Sequence, residues 1–299
     1  MRNIKKDKIL AILLISPTLL AMLVFIYGFI GFTGYASLSN WKTLKLDFTF
    51  VGLENYVRLF NNPRFIIDLK NTLTFTVFFL VSTILIGFLL AVLLEQKVKG
   101  ESVFRNIFLF PMAISFVVTG VIWRWLLAPG TTETGPLGVN FLFSKLGLDF
   151  LQSGWYTDPS IGIRAVVIAA AWQMAGYIMA LYLAGMRAIP EEMKEAARVD
   201  GATEFDIYRY IIIPLLQPIT LSAVIILGHI SLKIFDLVVA MTGPGVGFST
   251  DVPALFMFDT TFRGNRFAQG SAIAMVLLLM VAVLVVPYLI ITNKEEVVR

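Results

Sequence analysis

AIPEEMKEAARVDGATEFDIYRYIIIPLLQP, residues 188–218, is a polar internal segment that reads as two short helices joined at a glycine. Pro190 suits a first helical position, where its missing N–H has no partner to lose. Glu191 and Glu192 follow in the first turn, where carboxylates complement the positive end of the helix dipole. Met193, Ala196 and Ala197 are spaced to share one face. Gly201 supplies a stop, and Thr203 with Asp206 forms a capping pair that opens the second helix. Pro214 and Pro218 are expected to bend or break the chain beyond it. From these residues alone, the first helix either packs on its own bundle or offers its small alanine face to another protein.

What surrounds this segment is almost entirely apolar. Of 299 residues, 58% are hydrophobic and 15% charged, against about 25% charged in an ordinary globular domain. The mean hydropathy is +0.81. A soluble chain of this composition would lack the polar residues to cover its surface, whereas a bilayer removes that need. The net charge of +4 resides in short loops between apolar runs, as in cytoplasmic membrane flanks rather than a nucleic-acid-binding face. There is no cysteine, which excludes disulfides, iron–sulfur clusters and thiol catalysis. With His229 as the single histidine, a zinc site is not expected.

A helix needs about 20 apolar residues to cross about 30 Å of hydrocarbon. Six runs qualify, at about 9–32, 73–94, 107–127, 163–186, 218–241 and 272–291. The first is too long for a signal-peptide core and lacks a small-residue cleavage site after it, so it is expected to be retained. Lys and Arg concentrate in the leading tail (Arg2, Lys5, Lys6, Lys8), in the second loop (Lys97, Lys99, Arg105) and in the fourth (Arg187, Lys194, Arg198, Arg209). The long third loop holds only Lys145, whereas the first loop holds Lys42, Lys45, Arg58, Arg64 and Lys70 and the fifth Arg263 and Arg266. This density predicts that both termini are cytoplasmic, consistent with an even number of spans. The expectation is an all-α integral membrane protein forming one domain over 1–299, with the 188–218 segment facing the cytoplasm between the fourth and fifth spans.

In that setting the segment resembles the EAA loop of ABC-importer permeases. The family pattern is E-A-A, three residues, G, nine residues, then I-x-L-P. Here Glu195-Ala196-Ala197, Gly201, Ile211 and Pro214 stand at matching spacing, with Ile213 in place of the leucine, and Asp200-Gly201-Ala202 fits the common extension. The resemblance implies a type I ABC-importer permease fold with a coupling helix within 188–214. It also implies that Glu195, Ala196, Ala197, Asp200 and Gly201 dock on a separate ATPase dimer. The chain carries no Gly-x-x-x-x-Gly-Lys-[Ser/Thr] motif, so ATP and magnesium are expected to be bound by that partner. No catalytic residue, metal or cofactor is expected in this chain.

Other stretches resemble the carbohydrate-uptake branch, similar to maltose, glycerol-phosphate and α-glucoside permeases. These are Phe50-Val51-Gly52-Leu53-Glu54-Asn55-Tyr56, Asn71-Thr72-Leu73, the run 110–120 followed by Trp123 and Trp125, and Thr242-Gly243-Pro244-Gly245 with Thr250. The resemblance implies a sugar substrate, a second homologous permease, an extracytoplasmic sugar-binding protein and a place in a bacterial or archaeal cytoplasmic membrane. No nucleic-acid partner is expected.

A sugar pocket combines aromatic faces with hydrogen-bonding groups. Trp172, Gln173 and Tyr177 on the fourth span offer both, and Gln173 and Tyr177 share a face at i, i+4. By resemblance this stretch contacts the sugar in the maltose permease, as do the positions of Ser231 and Ile234. In the fifth span Lys233 and Asp236 are spaced to pair at i, i+3. Ionisable groups inside a span face a bundle interior or wet cavity, so the two either line the path or form a structural ion pair. Arg124, near the outer end of the third span, meets lipid headgroups or a docked binding protein. A proton- or sodium-coupled secondary transporter is the alternative class, with His229, Lys233 and Asp236 as a relay. It predicts inverted repeats, and no repeat is visible.

Overall fold

The computed structural model describes the backbone of residues 4–96 and 99–297 and the side chains of 12–96 and 99–287. The expected cytoplasmic charges Arg2 and Lys97 lie outside the described residues. So do the side chains of Lys5, Lys6 and Lys8 and those at the end of the last span. The chain divides into two compact units, 1–62 with 256–278, and 63–255 with 279–299.

In chain order the helices are α1 (Ile4–Met22), α2 (Phe29–Ser37), α3 (Glu54–Phe60), α4 (Pro63–Glu95), α5 (Glu101–Leu109), α6 (Phe116–Leu126), α7 (Gly138–Lys145), α8 (Gly162–Ala188), α9 (Glu191–Val199), α10 (Glu204–Ile207), α11 (Ile213–Leu215), α12 (Gln217–Leu232), α13 (Asp236–Met241), α14 (Pro253–Phe258) and α15 (Phe267–Val297). A two-residue hairpin, β1 (Gly130–Thr131) and β2 (Gly135–Pro136), pairs antiparallel in the long third loop. Among the described residues, four helices are long and apolar enough to cross a bilayer: Ile12–Ser37, Pro63–Glu95, Gly162–Ala188 and Phe267–Pro287. Two bent pairs bring the number to six if each is one span.

Two expected spans therefore differ from straight helices. The third is bent by 101° between Glu101–Ala113 and Phe116–Leu126. Pro111 sits in a short 3₁₀ turn, Ile114 is extended, and Ser115 starts α6 by accepting a hydrogen bond from the Val118 N–H. A lost donor and a new N-cap so close together end one helix and begin another. The fifth, expected as 218–241, is preceded by a 61° bend at Leu216, between Glu204–Leu215 and Gln217–Leu232, in keeping with Pro214 and Pro218. It then stops at Leu232, and α13 starts afresh at Asp236.

In the first unit, the VGLENY stretch packs back on the C-terminal end of the first span. Gly52 takes a left-handed turn, and the buried Asn55 amide donates to the Ser37 and Ser39 carbonyls at 2.9 and 2.8 Å. Trp41 stacks on Phe267 at 4.6 Å.

In the second unit α8 is central. Lipid tails are as apolar as leucine, so helices in a bilayer associate by close packing through small residues rather than by the hydrophobic effect. The α8 sequence is rich in Ala and Gly, and Ala169, Ala170, Ala171 and Ala175 are buried. A Cβ on Gly176 would fall 1.9 Å from the Phe108 carbonyl oxygen, so α5 crosses α8 backbone to backbone. A Cβ on Gly87 would fall 2.7 Å from Ile178, so α4 lies equally close along the same helix.

Candidate functional site: a coupling surface and a broken-helix cavity

The chain leaves α8 through Ile189 and Pro190 and enters α9. Pro190 is the N-cap rather than the first helical residue, with Glu191 and Glu192 in the first turn. Asp200 is the C-cap, and Gly201 follows at φ +87°, the expected stop. Thr203 and Asp206 form the expected reciprocal capping box.

Glu192, Glu195, Ala196 and Val199 are exposed. Their i, i+3, i+4, i+7 spacing makes a single outward stripe. Val199 is 88% exposed, an aliphatic side chain standing free at the tip of a polar helix. The opposite side packs on the bundle through Ala197 and, unexpectedly, Lys194, only 4% exposed. The Lys194 Nζ lies 2.8 Å from Glu95 Oε1 at the end of α4 and 3.3 Å from Glu191 Oε2. Burial alone would lower the Lys194 pKa, but hydrogen bonds to the two carboxylates outweigh it and hold the ammonium above its usual value. Glu191 is lowered in turn by hydrogen bonds from Lys194 and Arg198. Arg198 also reaches Glu204 at 2.8 Å, tying α9 to α10.

The second arrangement is deeper in the bundle. Lys233 caps α12 and Asp236 opens α13, so the two do not share a helical face. Among the described residues no ion pair joins them. Each charge instead sits at the helix end that favours it, the cation at a C-terminus and the carboxylate at an N-terminus. Both are exposed to a cavity of about 430 Å³ lined also by Phe116, Ile230 and Ile234. Phe116 is the first residue of α6, so the break at 114–115 and the break at 233–235 meet at this cavity.

The other expected path residues hold these breaks or lie apart from them. Gln173 is buried and donates from Nε2 to the Ile114 carbonyl at 2.6 Å, satisfying an oxygen freed by the bend. Ser231 is buried, accepts from Thr76 at 2.9 Å and donates to the Gly228 carbonyl. Trp172 lines a separate apolar cavity of about 540 Å³ between α4, α5 and α8, and its ring meets Trp123 edge-on at 5.9 Å. Tyr177 packs half-buried against the core.

Sequence reasoning passed over Lys194, Glu95 and Phe116. Lys194 had a signal: it falls on the same face as Ala197, three residues on, away from Glu192, Glu195, Ala196 and Val199. Glu95 and Phe116 had none, because their roles depend on which helix ends meet.

Elsewhere in the second unit, the Arg64 guanidinium pairs with the buried Asp251 at 2.5 Å. Asn71 donates to the Phe248 and Asp251 carbonyls, and Thr242 and Thr250 both donate to the Gly243 carbonyl. The Asn71-Thr72-Leu73 and Thr242–Thr250 stretches are thus two sides of one clamp.

Residues 83–292 match the family of binding-protein-dependent transport system inner membrane components. A probable ABC transporter permease of Pyrococcus horikoshii is 45% identical, over 95% of this chain and 96% of that protein. A xylose/arabinose import permease of Haloferax volcanii is 34% identical, over 92% of this chain and 85% of that one. A chain of a crystallised bacterial alginate ABC transporter, in complex with an alginate pentasaccharide-bound periplasmic protein, superposes with a TM-score of 0.77. It is 26% identical and the match covers 94% and 93% of the two chains. The chain belongs to the binding-protein-dependent transport system inner membrane component family: it is a multi-pass ABC-importer permease, a transport component.

Proposed function

We propose, from that membership, that the chain is the permease subunit of an ATP-driven sugar importer. It forms half of a translocation path with a second, homologous permease and is fed by an extracytoplasmic sugar-binding protein. Both termini lie in the cytoplasm. The observation that carries the reading is α9, a nine-residue helix whose Glu195–Ala196 side stands free while its other side is pinned to the bundle. Glu195, Ala196, Asp200 and Gly201 form the surface on which an ATPase subunit docks, one per permease; Ala197, expected among them, packs instead on the bundle. ATP binding and hydrolysis reside in that ATPase dimer. The names of the sugar permeases and the saccharide-bound complex similar to this chain support sugar as the substrate class. Membership in a binding-protein-dependent family favours this reading over a proton- or sodium-coupled carrier.

The path runs past the cavity where the two broken helices meet. Lys233 and Asp236 offer a cation and a carboxylate to substrate hydroxyls, and Phe116 offers an apolar face to substrate C–H groups. Gln173 and Ser231 hold the two breaks in place. Trp172 and Tyr177 flank the path from α8.

The test is reconstitution of the permease pair with its ATPase subunits and binding protein in proteoliposomes. Labelled sugar should enter only with ATP and the loaded binding protein. Glu195→Lys should abolish ATPase co-purification while leaving the permease folded. Uptake by this chain without ATPase subunits, driven by a proton gradient, would refute the reading.

A further inference from the structure

The buried side of α9 has a function that the exposed side does not describe. Lys194 is a cation, 4% exposed, whose ammonium contacts the final residue of α4 at 2.8 Å. The second oxygen of Glu95 accepts from the hydroxyl of Tyr208, the C-cap of α10, at 3.5 Å, so α9, the end of α10 and α4 converge on one carboxylate. Beside this point is a polar cleft of about 540 Å³, lined by Glu101, Arg187, Pro190 and Glu191 as well as the Lys194–Glu95 pair. The Lys194–Glu95 contact bridges α9 to α4 at the edge of that open space. Other links from α9 are the two-residue joint Ile189–Pro190 to α8, the packing of Ala197 on the core and the Arg198–Glu204 pair to α10.

From Glu95, α4 runs without interruption to Thr76, 19 residues or about 28 Å at 1.5 Å per residue. There Thr76 donates to Ser231 at 2.9 Å, two residues before the break that presents Lys233 and Asp236 to the cavity. Close-packed interiors have low compressibility and transmit strain. One continuous rod therefore connects the buried side of the coupling helix to the helix break at the cavity.

We propose that Lys194 is a positioning residue for energy coupling. Its ion pair with Glu95 fastens α9 to α4, so that displacement of α9 is delivered along α4 to the Ser231–Asp236 break. This rests on the reading of α9 as an ATPase-docking helix. Lys194 touches neither the ATPase-facing stripe nor the cavity, so its loss separates hydrolysis from transport.

The experiment uses the full reconstituted complex and reads sugar molecules imported per ATP hydrolysed. Lys194→Met complexes still retain ATPase subunits and hydrolyse ATP, but import per ATP falls well below that of the wild-type complex. The chain has no cysteine, so a Glu95→Cys, Lys194→Cys pair can be bridged cleanly by a short bifunctional thiol reagent. Bridging should raise import per ATP back toward wild type, because the proposal requires the two ends to travel together. An unchanged ratio in Lys194→Met would overturn it and assign the stroke to the other links of α9. So would a bridge that blocks import and releases it on cleavage, since the ends would then have to separate. Failure of the wild-type complex itself to bind ATPase subunits or to import with ATP would instead refute the docking reading.

Discussion

Gly201 separates backbone strain from steric fit at the coupling surface. It holds φ at +87°, and a Cβ built there would meet nothing within 4 Å. Any cost of a side chain in the free permease is therefore conformational. For an L-residue a left-handed backbone costs roughly 1–2 kcal/mol. The C-terminal stop of α9 either strains by that amount or unwinds, and Asp200 and Ala202 move with it. If the ATPase docks only on the intact helix end, Gly201→Ala should weaken docking by about the same free energy, or roughly 5- to 30-fold. Asn is several-fold enriched in the left-handed region, while a β-branched residue there is an outlier. The expected affinity order is Gly, then Asn, then Ala, then Val. Biolayer interferometry of ATPase subunits on nanodisc-embedded permease measures it. Asn is larger than Ala, so a purely steric clash with the partner would reverse those two. Asn binding worse than Ala, or Val binding like Gly, would refute the strain argument.

Three further outcomes follow from packing and hydrogen bonding. Gly176→Leu should prevent α5 from seating on α8, since even a Cβ falls 1.9 Å from Phe108 O; overpacking costs about 1–3 kcal/mol or more, and yield of monodisperse protein in detergent is the readout. Gln173→Leu strips the Ile114 carbonyl of its donor, at about 1–3 kcal/mol for an unsatisfied buried group, so the melting temperature falls while ATPase co-purification persists. Asn140→Ala removes bonds to Pro129, Ser153 and the Trp155 indole that hold the long third loop together; limited proteolysis of the permease in detergent should then cut within 128–161 at lower protease concentration.

The two halves of the site differ in how much of them was legible. The coupling segment could be read because its signals are local: a proline before the helix, carboxylates in its first turn, a glycine after it and a capping pair beyond. Each acts on backbone groups within a few residues, and α9, Gly201 and the Thr203–Asp206 box stand where those signals put them. The cavity could not be read in the same way. Treating 218–241 as one helix put Lys233 and Asp236 on a common face, whereas the helix ends between them. Gln173, chosen for a sugar hydroxyl, bonds a backbone carbonyl that exists as a free acceptor only because the chain bends 59 residues earlier.

Hydropathy alone determined that the chain lives in a bilayer and where its apolar runs lie, because the cost of exposing apolar surface to water adds residue by residue along the chain. The spacing of Glu195, Gly201 and Pro214 likewise determined the family, and local capping chemistry determined α9. Only the tertiary structure decided that two of the runs are broken, that the breaks meet, and that Lys194 reaches Glu95 across 99 residues. In a membrane, helices are held by close approach at small residues and by satisfaction of freed backbone groups. Both depend on which segments become neighbours, and no local pattern records that.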